Sequence, residues 1–173
     1  KFSKTPWFTI AACLVLSLSI LSFFWMDEDD PIALIIANEN AAWESSLPTT
    51  QGSKLYAGRM TLKSGVSIIR FSSGAELTLE APAMLELVDS MNGILHQGNG
   101  IVNVPDSAQG FVLTTPTGYA VDHGTAFGVS VSQDVKLSDF KVLEGEISIH
   151  ASNGKSLFLL QNESASLSAT GIS

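Results

Sequence analysis

The sequence predicts an all-β extracytoplasmic domain of many short strands, either roll-like or β-helix-like or a two-sheet sandwich, preceded by one transmembrane α-helix. Three observations predict it. One long uncharged apolar run lies near the start, period-2 alternation takes over after Pro48, and Gly, Pro, Asn, Asp or Ser bound most of the alternating runs.

The apolar run comes first. Trp7 to Met26, WFTIAACLVLSLSILSFFWM, holds 20 residues without a charge, and a helix of that length rises about 30 Å, the thickness of a bilayer's hydrocarbon core. Trp7 and Trp25 bracket it where amphipathic rings favour the interface. Its three serines can return their hydroxyls to their own helix backbone. A cleavable signal peptide would be shorter and end in a small-x-small site, whereas FFWMDEDDP follows here. A lipoprotein reading at Cys13 fails because the run continues well past that residue. Lys1 and Lys4 precede the span and none of the 27 residues after it is cationic, which orients the N-terminus to the cytoplasm.

The chain then divides into a cytoplasmic stub (1–6), the span (7–26), a juxtamembrane linker (27–42), the β domain (43–168) and a C-terminal tail (169–173) that reads as truncated. The DEDD of the linker lacks the Gly and closing Glu of a calcium loop and reads as a solvated spacer. The expected location is the inner, cytoplasmic membrane, single-pass, with the C-terminal domain in the periplasm.

Within the β part, Leu77 and Leu79 alternate with Glu76, Thr78 and Glu80, and GVSIIRF, GIVNVP, FVLTTP, AFGVSV, FKVL and GEISIH follow the same rule. PIALIIANENAAWESS could form a short helix, but an extended lead-in to the first strand is preferred. Glycines at 65, 74, 100, 128 and 145 open a loose repeat, too irregular for a strict solenoid. The histidines at 96, 123 and 150 are spaced 27 residues apart, yet the glycines do not share that period, so a stacked metal column is not expected.

Composition narrows function. With 17 acidic and 9 basic side chains, and the seven cations after position 30 scattered, the chain lacks the basic cluster that nucleic acid requires. One cysteine cannot form an intramolecular disulfide. Motifs for a serine or cysteine nucleophile, a zinc protease, a P-loop or a dinucleotide fold are absent. A glycosidase pair could be drawn only from Glu76, Glu80, Glu86 or Asp122, and the first two fall on the polar face of a strand.

The one stretch that invites a catalytic reading is YAVDHGTAFGVSV, Tyr119 to Val131. Adjacent strand residues point to opposite faces, so Asp122 and His123 share a substrate only if the chain turns. The preferred reading is a strand–turn–strand corner: Gly124 supplies the bend, Asp122 and Thr125 bond nearby backbone amides, and Val121, Phe127, Val129 and Val131 point inward. No enzyme activity and no cofactor are expected.

The order SGAELTLEAPAMLEL, GNGIVNVPDSAQGFVLTTPTGYAVDHGTAFGVSV and KVLEGEISI resembles the FecR-type extracytoplasmic domain, from roughly Trp43 to Leu167. Its string here is Pro82, Val104-Pro105, Gly110-Phe111, Thr115-Pro116, Asp122, Gly124-Thr125, Phe127-Gly128 and Glu144-Gly145. The sequence departs from the family pattern at Ala81, at Ala126, where an acidic residue is common, and at His123. The resemblance implies an all-β roll and a membrane-anchored regulator. Its outer domain would receive a signal from a protein partner such as a TonB-dependent transporter or another envelope protein. A cytoplasmic part not in this chain would control an extracytoplasmic-function sigma factor, as an anti-sigma factor does. The alternative is an anchored envelope module that binds glycan or scaffolds the cell surface, with Trp43, Tyr56 and Tyr119 the only Trp or Tyr available after the span.

Overall fold

The computed structural model describes residues 30–132, 134 and 136–173; the expected stub and membrane span lie outside the described residues. The described chain is all-β, with no α-helix among its residues and a single 3-10 turn at Asp106–Ala108.

Four long antiparallel strands make the first half: β1 (Ala33–Ser45), β3 (Gly58–Phe71), β4 (Glu76–Leu87) and β5 (Asn92–Asn103), with the two-residue β2 (Lys54–Leu55) on the outer edge of β1. Alternation places one apolar row across all four: Ile35 pairs with Ile69, Ile69 with Leu77 and Leu77 with Val102, and none of these side chains is exposed. A second row runs from Met60 through Leu85 to Leu95. Burying each such side chain contributes about 1.5–3 kcal/mol, and the rows fix register because a one-residue slip would turn every one of them to solvent.

These strands, at 12 to 14 residues, are longer than the many short strands expected. The reason is that two of the glycines read as strand starts lie inside these long strands. Gly100 is internal to β5, and Gly65 sits at a bulge in β3, where the β1 register skips from Glu39 to Ala42. At φ +80° a Cβ on Gly65 would come within 2.3 Å of the carbonyl oxygens of Glu39 and Asn40, so the strands approach closely only because no side chain is there. From Ala33 on, the stretch read as a linker is strand: β1 begins there and continues through the proposed boundary at 42 and 43, and the compact unit spans Pro31–Ser173. The tail 169–173 likewise contains β13 (Gly171–Ile172).

The sheet forks at β5. Its first half pairs in parallel with β6 (Val112–Thr115), from Asn92 opposite Val112 to Ile94 opposite Thr114. Its second half pairs antiparallel with β8 (Ala126–Ser132), from Gly98 opposite Val131 to Asn103 opposite Ala126. One arm continues from β6 to β7 (Gly118–Asp122), β10 (Glu146–Ala151) and β11 (Ser156–Leu160). The other continues from β8 to β9 (Leu137–Glu144), β12 (Ser164–Ser168) and β13. The parallel step needs a crossover, which the 3-10 turn between β5 and β6 provides.

Both arms share one core. Leu113, Ala120, Ile147 and Ile149 of the first and Phe127, Phe140, Val142 and Leu167 of the second belong to a single buried cluster. Thr117, in the β6–β7 turn, donates to Ser138 of β9 at 2.7 Å, linking the arms through a buried hydroxyl pair. Among the described residues the architecture is therefore one continuous, open 13-stranded sheet, split into two arms whose buried side chains belong to a common core.

Candidate functional site

The corner at 122–125 forms where the two arms separate. Asp122 ends β7 with no exposed surface. Its Oδ2 accepts the Gly124 N–H at 2.6 Å, and its Oδ1 accepts the Thr125 hydroxyl. Thr125 thus locks the bend through the carboxylate rather than through a backbone amide.

Segments distant in sequence complete the corner. Gly110 N–H donates to the Asp122 carbonyl (3.0 Å), Asp122 N–H to the Phe111 carbonyl (2.9 Å) and Val104 N–H to the Thr125 carbonyl (2.8 Å). The Gln109 amide donates to the His123 carbonyl at 3.0 Å. Gly145, in the β9–β10 turn at φ +79°, leaves so little room that a Cβ there would stand 2.6 Å from Thr125 Cγ2.

Burial pushes the Asp122 carboxyl up to about 6, against the donors of Gly124 and Thr125, which favour its ionised form. The bend also changes strand parity. Ala120 and Asp122 point inward before it, and Thr125, Phe127, Val129 and Val131 after it. Val121, expected inward, lies on the other face, opposite Val112 and Ser148, because the bend shifts the inward set from even to odd positions.

Of the residues singled out in the sequence, Gly110, Phe111, Asp122, Gly124, Thr125 and Gly145 meet at this corner, with Pro105 bordering it at the start of the 3-10 turn. Phe111 packs edge-on to Phe71 at 4.8 Å, and Phe127 tilts against Phe140 at 6.4 Å. Glu144 is exposed at the end of β9, opposite Ala126. Three stand elsewhere. Pro82 is exposed in β4, Pro116 is exposed in the β6–β7 turn, and Gly128 lies mid-β8, where a Cβ would find its nearest neighbour at 3.9 Å.

Two of the carboxylates considered for glycoside chemistry are held in ion pairs. Glu76 pairs with Arg70 at 2.7 Å. Glu86 bonds Arg59 at 2.7 Å and His96 at 2.8 Å, and the Arg59 guanidinium, with His96 second, holds its carboxyl below the usual range.

Sequence reasoning missed a cluster on the outer face of the β6–β7–β10–β11 arm. Cross-strand register sets Tyr119 opposite His150, and their rings stack at 4.6 Å. Ser148 Oγ lies 3.2 Å from His123 Nε2 and 3.3 Å from His150 Nε2. A hydroxyl has one proton, so with neutral rings it donates to one imidazole and accepts from the other. His123 stacks in turn on Phe158 at 5.8 Å. The 27-residue spacing of His123 and His150 was the visible signal, but the pair meets through the antiparallel pairing of β7 with β10 rather than by solenoid stacking. His96 lies apart from them, on Glu86. Asp122 faces the opposite side of β7, so the Ser148–His123 contact is not backed by its carboxylate.

No family model and no curated protein matches the chain. Two solved structures from Parabacteroides distasonis ATCC 8503, each described as a "putative anti-sigma factor", share the fold. The one at 2.50 Å resolution aligns with TM-score 0.58 and 19% identity over 68% of this chain and 59% of its own. The one at 1.65 Å aligns with TM-score 0.58 and 18% identity over 66% of this chain and 57% of its own. The chain thus spans under two thirds of the length of either.

Proposed function

We propose that the β domain is the partner-receiving part of a membrane-anchored regulator of the FecR type, acting as or with an anti-sigma factor. In this reading the domain sits in the periplasm, binds an envelope protein and passes that event through the 7–26 span to a cytoplasmic sigma-factor-binding part. The observation that carries it is the fold shared with two structures each described as a "putative anti-sigma factor". The corner supports it. The residue string that carries the family resemblance comes together mainly as a scaffold, with its carboxylate and hydroxyl turned on each other, which suits a binding module better than an enzyme.

The test removes residues 30–173 from the chromosomal copy and compares transcripts with the parent under envelope and nutrient stress. A changed set of transcripts sharing one sigma-factor promoter is expected. An unchanged transcriptome under every condition would sink the regulatory reading, and saccharide binding on a glycan array would favour the envelope-module alternative.

A further inference from the structure

Among the described residues β2, β11 and β13 end the strand order, and they are not alike. β2 and β13 are two residues long, whereas β11 has five and pairs only with β10. Its sequence, SLFLL, carries no charge, no proline and no bulge, the devices that normally blunt an edge. Leu157, Phe158 and Leu160 are 43%, 63% and 53% exposed.

The direction of its backbone groups follows from the flanking turns. Ala151 N–H donates to the Lys155 carbonyl, so odd-numbered residues of β11 face β10. At the far end the Leu160 N–H is taken by the Glu163 carboxylate at 2.8 Å, so even-numbered residues face away. The N–H and C=O of Ser156 and Phe158 therefore point off the sheet. Phe158 is the middle residue of the strand, with its ring on the outer face against His123.

From this we infer that β11 pairs antiparallel with β11 of a second copy of this chain, about a two-fold axis at Phe158. Two-fold pairing requires a surface complementary to itself, and β11 meets that requirement at its central residue and in charge. Phe158 stands opposite Phe158, both presenting the groups that form a doubly bonded pair, while Leu160, opposite Ser156, keeps its N–H and C=O on Glu163, so the Phe158 pair carries the backbone bonds. The Leu160 end is acidic, with Glu163 at its amide and Glu146 paired to it on β10, and the Ser156 end is preceded by Lys155. Antiparallel pairing brings the Lys155 of each copy to the acidic end of the other. A five-residue edge falls well short of the roughly 20–30 residues a side of a stable interface, so the dimer is weak and forms as concentration rises.

The experiment uses the whole chain in detergent, with Cys13→Ser removing its own thiol and Phe158→Cys placing one on the axis. A doubly bonded antiparallel pair sets its Cα atoms about 5.5 Å apart, within disulfide range. Under mild oxidation F158C is expected to form a disulfide-linked dimer at least tenfold faster than S107C, on the exposed 3-10 turn. K155E should slow that linkage several-fold, and K155E/E163K should restore it, since the exchange re-creates the attraction in both halves. Linkage at F158C no faster than at S107C, or insensitive to K155E, overturns the proposal and leaves the edge to the strand of a different protein. Neither result depends on sigma-factor control, so the regulatory reading stands or falls separately.

Discussion

The Gly124 amide donates to Asp122 Oδ2 at 2.6 Å, and the Thr125 hydroxyl occupies the other oxygen of the same carboxylate. One side chain thereby closes the bend from which the two arms diverge. Replacing Asp122 by Ala strands two donors in a buried place, at about 1–3 kcal/mol for each unsatisfied group. Chemical denaturation should show D122A losing about 2–4 kcal/mol. D122N, which keeps an acceptor for Gly124, should lose less than half as much.

The same carboxyl gives stability a pH dependence of defined sign. Its folded value, about 6, lies above its ordinary 3.8, so between those limits the folded state holds a proton that the unfolded state has released. The stabilisation is complete below about pH 4 and lost as pH rises through 6, by up to about 3 kcal/mol at 1.36 kcal/mol per unit. Denaturation midpoints of wild type and D122N between pH 4 and 7 check this. The wild-type midpoint should fall relative to that of D122N, and a difference that stays constant would refute the assignment.

Gly145 and Gly154 separate steric crowding from backbone preference. Both have positive φ, +79° and +86°, but a Cβ at 145 meets Thr125 Cγ2 at 2.6 Å while one at 154 meets nothing within 4 Å. G154A should cost about 1–2 kcal/mol, the price of a left-handed residue with a side chain. G145A should cost at least about 1 kcal/mol more, in the range of overpacking. T125S in the G145A background should recover part of that difference in the same thermal melts.

Ser148 holds the two imidazoles of the outer face at 3.2 and 3.3 Å. S148A should cost about 1 kcal/mol and free both rings. The side-chain nitrogen resonances of His123 and His150 should then shift together, with His96, on Glu86, unmoved.

Much of the fold was legible because strand signals are local. The alternation of Leu77 and Leu79 with Glu76, Thr78 and Glu80 is the burial pattern of β4, and Gly74 does lie at a hairpin turn, donating to the Phe71 carbonyl at 2.9 Å. The bend at Gly124 was legible for the same reason. Strand length was not, because Gly65 marks a bulge only when β1 is known to pass 2.3 Å from its absent Cβ. Val121 was placed on the wrong face because parity across a bend depends on how many residues the bend absorbs.

By itself, then, the sequence determined the all-β class, the turn chemistry and the residues of the corner, since these follow from period-2 burial and the backbone preferences of Gly, Asp and Thr. Only the tertiary structure decided the fork at β5, the meeting of Gly110, Asp122 and Gly145, the His123–Ser148–His150 cluster and the open edge at β11. Those depend on which strands pair and in which register. Pairing is set by contacts between residues far apart in the chain, and no local preference encodes it.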